Sequence, residues 1–200
     1  MMRARWALVG VVVILAALAV VTRGMGLSAR RVPWPGEAAM ARAARAWTLP
    51  AGYRTMTNPV TLSPEALRAG MEHWADHCAV CHDNDGRGRT DVGRGLFPPA
   101  PDMQAAGTQE LSDGALFYAI EAGVPFTGMP AWSTGTEEGE RQSWELVVFV
   151  RHLPEITAEE LTEMEALNPK SQAEMARVKP RWVGSRTSRT SSVGCRSGRD

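Results

Sequence analysis

Cys78-Ala79-Val80-Cys81-His82 is the stretch on which the reading of this 200-residue chain turns. It closes a segment in which Leu67, Met71, Trp74 and Cys78 recur at helical spacing, so one face of a helix is apolar. The start of that helix is marked by Ser63-Pro64-Glu65, an N-cap followed by a proline at the first helical position and an early acid. A Cys-x-x-Cys-His match arises by chance in roughly one in a thousand chains of this length and composition. The spacing therefore asks for a chemical reason.

Two thiols three positions apart on a helical turn can each form a thioether to one of the two vinyl groups of haem. His82 is then held beneath the iron and offers an imidazole nitrogen as axial ligand. The rival readings have less support. A zinc site needs four ligands, and no second Cys/His pair is near; His73 and His77 sit on the same helix, but four-coordinate closure by them would be strained. A thioredoxin-like redox pair needs a βαβ context, which is absent, and a structural disulfide between Cys78 and Cys81 has no scaffold around it. A low-spin haem needs a sixth ligand, and downstream of His82 the methionines are Met103, Met129, Met164 and Met175. Met129 lies in Thr127-Gly128-Met129-Pro130-Ala131-Trp132, where glycine and proline force an extended loop that lets the thioether reach in from the opposite face. Met103 is the runner-up, with a histidine or an open position as further alternatives. Met164 and Met175 lie beyond the last expected core helix, and Met71 is read as core filler.

The rest of the chain reads as helices and loops. Residues 83–110 are rich in Gly and Pro and are expected to be loop. Ser112 and Asp113 start a second helix that ends at Gly123. A loop follows to Gly139, and a third helix runs from about Glu140 to Leu153, stopped by Pro154. Thr157-Ala158-Glu159-Glu160 forms a capping box that opens a polar helix to about Leu167. No strand pattern and no internal repeat is seen, so the expected class is all-α: three to four helices wrapped around one covalent haem.

The flanks differ from the body. Residues 1–5 are a basic start, and Trp6 to Val21 is an uninterrupted apolar run of 16 residues. Residues 6–22 are read as either a transmembrane signal anchor or a cleaved signal peptide. Thr22 and snorkelling by Arg5 and Arg23 extend the run. Residues 23–62 read as a flexible linker of about 40 residues, with an r.m.s. span of about 35 Å, interrupted by one short helical stretch from Glu37 to Trp47. Residues 155–176 form a helical extension, and 177–200, rich in Arg, Ser, Thr and Gly, a disordered basic tail. The formal net charge is zero, but residues 1–31 carry +5, residues 32–176 carry −11 and residues 177–200 carry +6. An acidic body argues against nucleic acid as partner. His73 and His77 are read as exposed helix positions, His152 as a favourable helix end, and Cys195 as a leftover thiol.

Residues 63–154 resemble the monohaem class I c-type cytochromes of bacteria. The resemblance rests on the first helix ending in Cys78-x-x-Cys81-His82, on the loop Gly95-Leu96-Phe97-Pro98-Pro99-Ala100-Pro101-Asp102, on Gly128-Met129-Pro130-Ala131-Trp132, and on the last helix from Trp144 to Arg151. It implies that the first and last helices cross closely, with Gly70 at the point of approach and Trp74 on Phe149. It also implies that a carbonyl near Pro98 accepts from the His82 ring and that Leu96, Phe97, Pro98, Pro99, Leu116 and Trp132 pack around the haem.

The function the resemblance implies is electron transfer by one haem c with His82 and Met129 as axial ligands, and no transformed substrate. Alternatives are an electron-entry subunit of a membrane dehydrogenase or oxidase, or a haem enzyme or gas-binding module. Covalent haem is attached outside the cytoplasmic membrane, so the haem domain is expected on the periplasmic side, either tethered to the inner membrane or soluble after cleavage. The acidic body implies redox partners with a basic docking patch.

Overall fold

The computed structural model describes residues 2–26, 28–29 and 33–169. The body is built on one helix crossing, and its two partners are well marked. The first is helix α4 (Pro64–His73), where the Ser63 hydroxyl accepts from the Ala66 N–H at 3.1 Å and Pro64 occupies the first turn. It runs without a break into a π-helical turn (Trp74–Cys78) and then α5 (Ala79–His82). The second is α9 (Glu137–His152). Its N-cap is the Thr136 hydroxyl, its first turn holds Glu137, Glu138 and Glu140, and its last turn holds Arg151 and His152. This charge order complements the helix dipole at both ends.

The two helices meet at Gly70. A Cβ placed there would stand 2.2 Å from the Glu145 carbonyl oxygen and 3.0 Å from Phe149 Cβ. Only a residue without a side chain lets the backbones approach this closely. One turn on, the Trp74 and Phe149 rings pack at 5.6 Å between centroids and 54° between planes. Trp74, Phe149, Leu146, Val147 and Val150 are all buried.

The remaining helices, in chain order, are α1 (Met2–Met25), α2 (Pro35–Thr48), α3 (Ala51–Arg54), α6 (Asp91–Gly95), α7 (Ala106–Gln109), α8 (Asp113–Ala122) and α10 (Ala158–Leu167), with a 3-10 turn at Leu153–Glu155. No strand occurs among the described residues. Helix α8 is capped by Ser112 and ended by Gly123 at φ +68°. Its Phe117 stacks on Trp144 of α9 at 4.0 Å and 9°. Arg151 ties the end of α9 to the start of α8, donating to the Asp113 carboxylate at 3.0 and 2.8 Å and to the Gln109 and Leu111 carbonyls.

Three expectations need correction. The linker expected over 23–62 is not free along its whole length, because residues 53–60 pack on the domain. Tyr53 sits 6.2 Å from Phe117 and 4.8 Å from Tyr118, the Gly114 N–H donates to the Met56 carbonyl, and Asn58 Nδ2 donates to the Trp144 carbonyl at 3.0 Å. The 14 residues of α2 further replace coil by helix, so the random-coil span does not apply. Second, the extension after residue 154 is part of the core. Met164 of α10 is fully buried with Leu153, and the Thr157–Glu160 capping box is formed. The capping box was legible, but the inward face was hidden because Met164 and Leu167 are outnumbered by acids. Third, the 83–110 loop contains two short helices, and α9 begins at Glu137 rather than Glu140.

Among the described residues no helix is long and apolar enough to cross a membrane. Helix α1 has 24 residues, but its uninterrupted apolar run, Trp6 to Val21, is shorter than the roughly 20 residues of a full span. The expected tail over 177–200, with Cys195, lies outside the described residues.

Filling the close approach at Gly70 should destabilise the whole domain. Gly70→Ala is expected to lower unfolding stability by about 1–3 kcal/mol, measured by denaturant unfolding. Ala69→Gly, on the same helix, should cost less than about 1 kcal/mol.

Candidate functional site

The Cys78–His82 segment begins on the π-helical turn, a feature that recurs at functional sites because the extra residue re-aims the side chains around it. Cys78 and Cys81 are both free and partly exposed, so no disulfide joins them. Burial, and secondarily the neighbouring Cys81, pushes the Cys78 thiol up to about 12. Burial also raises Cys81. Both are therefore protonated thiols at neutral pH. Among the described residues no group of three or more His, Cys, Asp and Glu converges that could hold a metal ion.

His82 closes the segment. Its Nδ1 is buried and makes no hydrogen bond of full geometry. Burial holds the ring below its ordinary pKa, and the Pro101 backbone carbonyl, acting as acceptor, partly opposes this. The imidazole is neutral and keeps a lone pair for a metal. The carbonyl expected near Pro98 has its counterpart at Pro101 of the same proline-rich loop, without a hydrogen bond of full geometry to the ring. Trp74 flanks the ring at 5.6 Å, and its Nε1 donates to the Asp83 carbonyl at 3.0 Å. Asp83 takes φ +68° and ends the helix directly after His82.

A second loop clamps the carbonyl end of the segment. The Thr90 hydroxyl bridges the Val80 carbonyl (2.8 Å) and the Cys81 carbonyl (3.2 Å) and accepts from the Gly93 N–H (2.8 Å). The Gly88 N–H donates to the His82 carbonyl at 2.7 Å. A Cβ on Gly93 would lie 2.1 Å from the Cys81 carbonyl oxygen. Thr90 and Gly93 were missed in the sequence, although Thr90-Asp91 has the form of a helix start.

The Met129 loop is held between two points of this assembly. On one side a Cβ on Gly128 would meet the Leu96 side chain at 2.6 Å, and Leu96 follows directly on α6. On the other side Trp132 packs edge-on against His77 at 5.4 Å, one residue before Cys78. Within the loop, the Val124 N–H donates to the Met129 carbonyl and the Met129 N–H to the Thr127 hydroxyl, both at 3.1 Å. The Met103 sulfur is engaged elsewhere, accepting from the Thr108 hydroxyl at 3.8 Å while its side chain packs on the core. Of the other expected pocket residues, Leu116 is a buried core residue, Leu96, Phe97 and Trp132 are half-buried, and Pro98 and Pro99 are exposed. His77 is an exposed helix position as expected, His73 is half-buried, and their rings lie 4.9 Å apart. His152 pairs with Glu160 at 2.8 Å.

Residues 65–150 match the family model described as cytochrome C oxidase, cbb3-type, subunit III. A search of curated proteins finds no match. The matched segment is a class I c-type cytochrome domain. Its cofactor is covalently bound haem c, and the two free thiols, the neutral buried imidazole and its unsatisfied Nδ1 fit that group.

Because one hydroxyl holds two carbonyls of the attachment segment and caps α6, Thr90→Ala should lower unfolding stability of the holoprotein by about 1–2 kcal/mol. Thr90→Ser should restore most of it. Chemical denaturation followed by the haem absorbance measures both.

Proposed function

We propose that this protein carries single electrons between redox proteins outside the cytoplasmic membrane. The observation that carries the reading is the pair of free thiols beside a buried, neutral His82 within a matched c-type cytochrome domain. Cys78 and Cys81 would hold the haem through two thioethers, and His82 would ligate its iron. When bound, the haem iron supplies the Fe(III)/Fe(II) couple. Met129 would supply the second ligand to the iron, favoured by a loop pinned at Gly128 and Trp132 and by the engagement of Met103 with Thr108. Leu96, Phe97 and Trp132 shield the site from water. A thioether ligand and a low-polarity surround favour the reduced state, so a positive potential is expected.

A thioether-ligated iron leaves no open position. Reduced protein should show no change in its absorbance under carbon monoxide, whereas Met129→Ala should shift rapidly. A rapid shift in the unaltered protein would remove the carrier assignment in favour of a gas-binding or catalytic haem.

Helix α1 is the export element, and we read it as an anchor. Its apolar side chains from Leu8 to Val21 are exposed on every face. The Thr22 hydroxyl donates to the Leu18 and Ala19 carbonyls at 2.9 and 3.1 Å, so it enters an apolar medium with its hydrogen bond made. Arg5 and Arg23 flank the run and extend it by snorkelling. The anchor places the domain on the periplasmic face of the inner membrane. Ten basic against twenty-one acidic side chains over residues 32–176 favour a partner with a basic patch. The description of the matched family favours a second reading, in which the same chemistry serves as an oxidase subunit. Intact mass of the membrane-extracted protein tests the anchor: the full chain plus one haem is expected, and loss of about the first 20 residues would show a cleaved signal.

A further inference from the structure

Outside the haem site, two histidines stand one helical turn apart. His73 ends α4 and His77 lies in the π-helical turn, so both project from the same side of one continuous helix. Their rings lie 4.9 Å apart, at 61° between planes. A metal–nitrogen bond of about 2.1 Å puts a metal about 3.2 Å from each ring centre, and two rings at ~90–110° around it then lie about 4.5–5.2 Å apart. The observed separation falls in that range.

The two rings line a groove of about 180 Å³, closed by Trp132, Thr134 and, from α9, Gln142 and Ser143. This volume admits an ion with several waters, each occupying about 30 Å³. The Asp76 carboxylate lies 3.2 Å from His77 Nδ1, the carboxylate–histidine pairing that fixes a metal-ligating ring and directs Nε2 outward. Ser143 donates to the Glu121 carboxylate, which puts a second negative charge behind the groove wall. Burial, then the proximity of His77, holds His73 below its ordinary pKa, leaving it neutral near pH 7.

We propose that His73 and His77 bind one divalent late-transition-metal ion, Zn²⁺ or Cu²⁺, through one ring nitrogen each, with water completing the coordination. No third His, Cys, Asp or Glu converges on the pair among the described residues, so the site is solvent-completed and exchangeable rather than structural. His77 precedes Cys78, which places the ion's charge beside the haem attachment and favours the reduced haem. This consequence rests on the proposed haem attachment; the ion site itself does not.

Zn²⁺ is the probe, since it exchanges no electrons with the haem. Calorimetric titration of the ferric full-length holoprotein, carrying Cys195→Ser to remove the leftover thiol, should show one equivalent bound. His73→Gln and His77→Gln should each weaken binding by at least about 10-fold, and Asp76→Asn by about 10-fold. His152→Gln should leave it unchanged. Zn²⁺ should raise the haem midpoint potential in the parent and not in the His73→Gln/His77→Gln double variant. Binding that survives the double variant, or that follows His152→Gln instead, would overturn the site. Binding without a shift in potential would overturn only the coupling to the haem.

Discussion

Everything in the body depends on the approach of two helix backbones at Gly70. The Glu145 carbonyl oxygen of α9 lies 2.2 Å from where a Cβ at position 70 of α4 would stand, so the two helices can cross this closely only if that position is empty. Given the approach, Trp74 lands on Phe149, and Trp74 in turn flanks His82 and bonds the Asp83 carbonyl. The imidazole is thus placed by the helix crossing through one indole. A looser crossing would reach the site as a change in ring orientation before it appeared as a loss of fold.

The π-helical turn follows from the same constraint. An α-helix continued from Pro64 through His82 would place Trp74 and the Cys78–His82 segment at a fixed angular offset. The wider turn at Trp74–Cys78 changes that offset, so one helix both buries Trp74 against α9 and leaves Cys78 and Cys81 partly exposed. The carbonyls after the turn are then taken up by Thr90 and Gly88 rather than by further helix. Loop 83–95 is therefore the continuation of the attachment segment's hydrogen bonding, not a passive connection.

What could be read from the sequence was what repeats or caps. The periodic Leu67, Met71 and Trp74, the N-caps Ser63 and Ser112, the Thr157–Glu160 box and the Cys78–His82 spacing each announce themselves within a few residues. Gly70 and the Trp74–Phe149 contact came from resemblance, and the structure contains both. What was not legible depends on distant partners. Tyr53 looks like linker until Phe117 and Tyr118 stand beside it. Met164 looks like surface until Leu153 closes over it, and Glu145 is buried on a helix whose other acids are exposed. The π-helical turn has no local composition cue at all.

The Met129 loop follows the same logic. Its own hydrogen bonds are short-range, from Val124 to Met129 and from Met129 to Thr127. Such a loop has little rigidity alone. It gains position from Leu96, which is tied to the attachment segment through α6 and Gly93, and from Trp132 on His77. Both supports trace back to the segment that carries Cys78, Cys81 and His82. The loop around Met129 and the Cys78–His82 segment are therefore not independent: the helix that carries His77 and Cys78 also holds the loop. In such an arrangement the Met129 loop is the less firmly placed part, since it is fixed through Leu96 and Trp132, whereas His82 is flanked directly by Trp74 and by the end of its own helix.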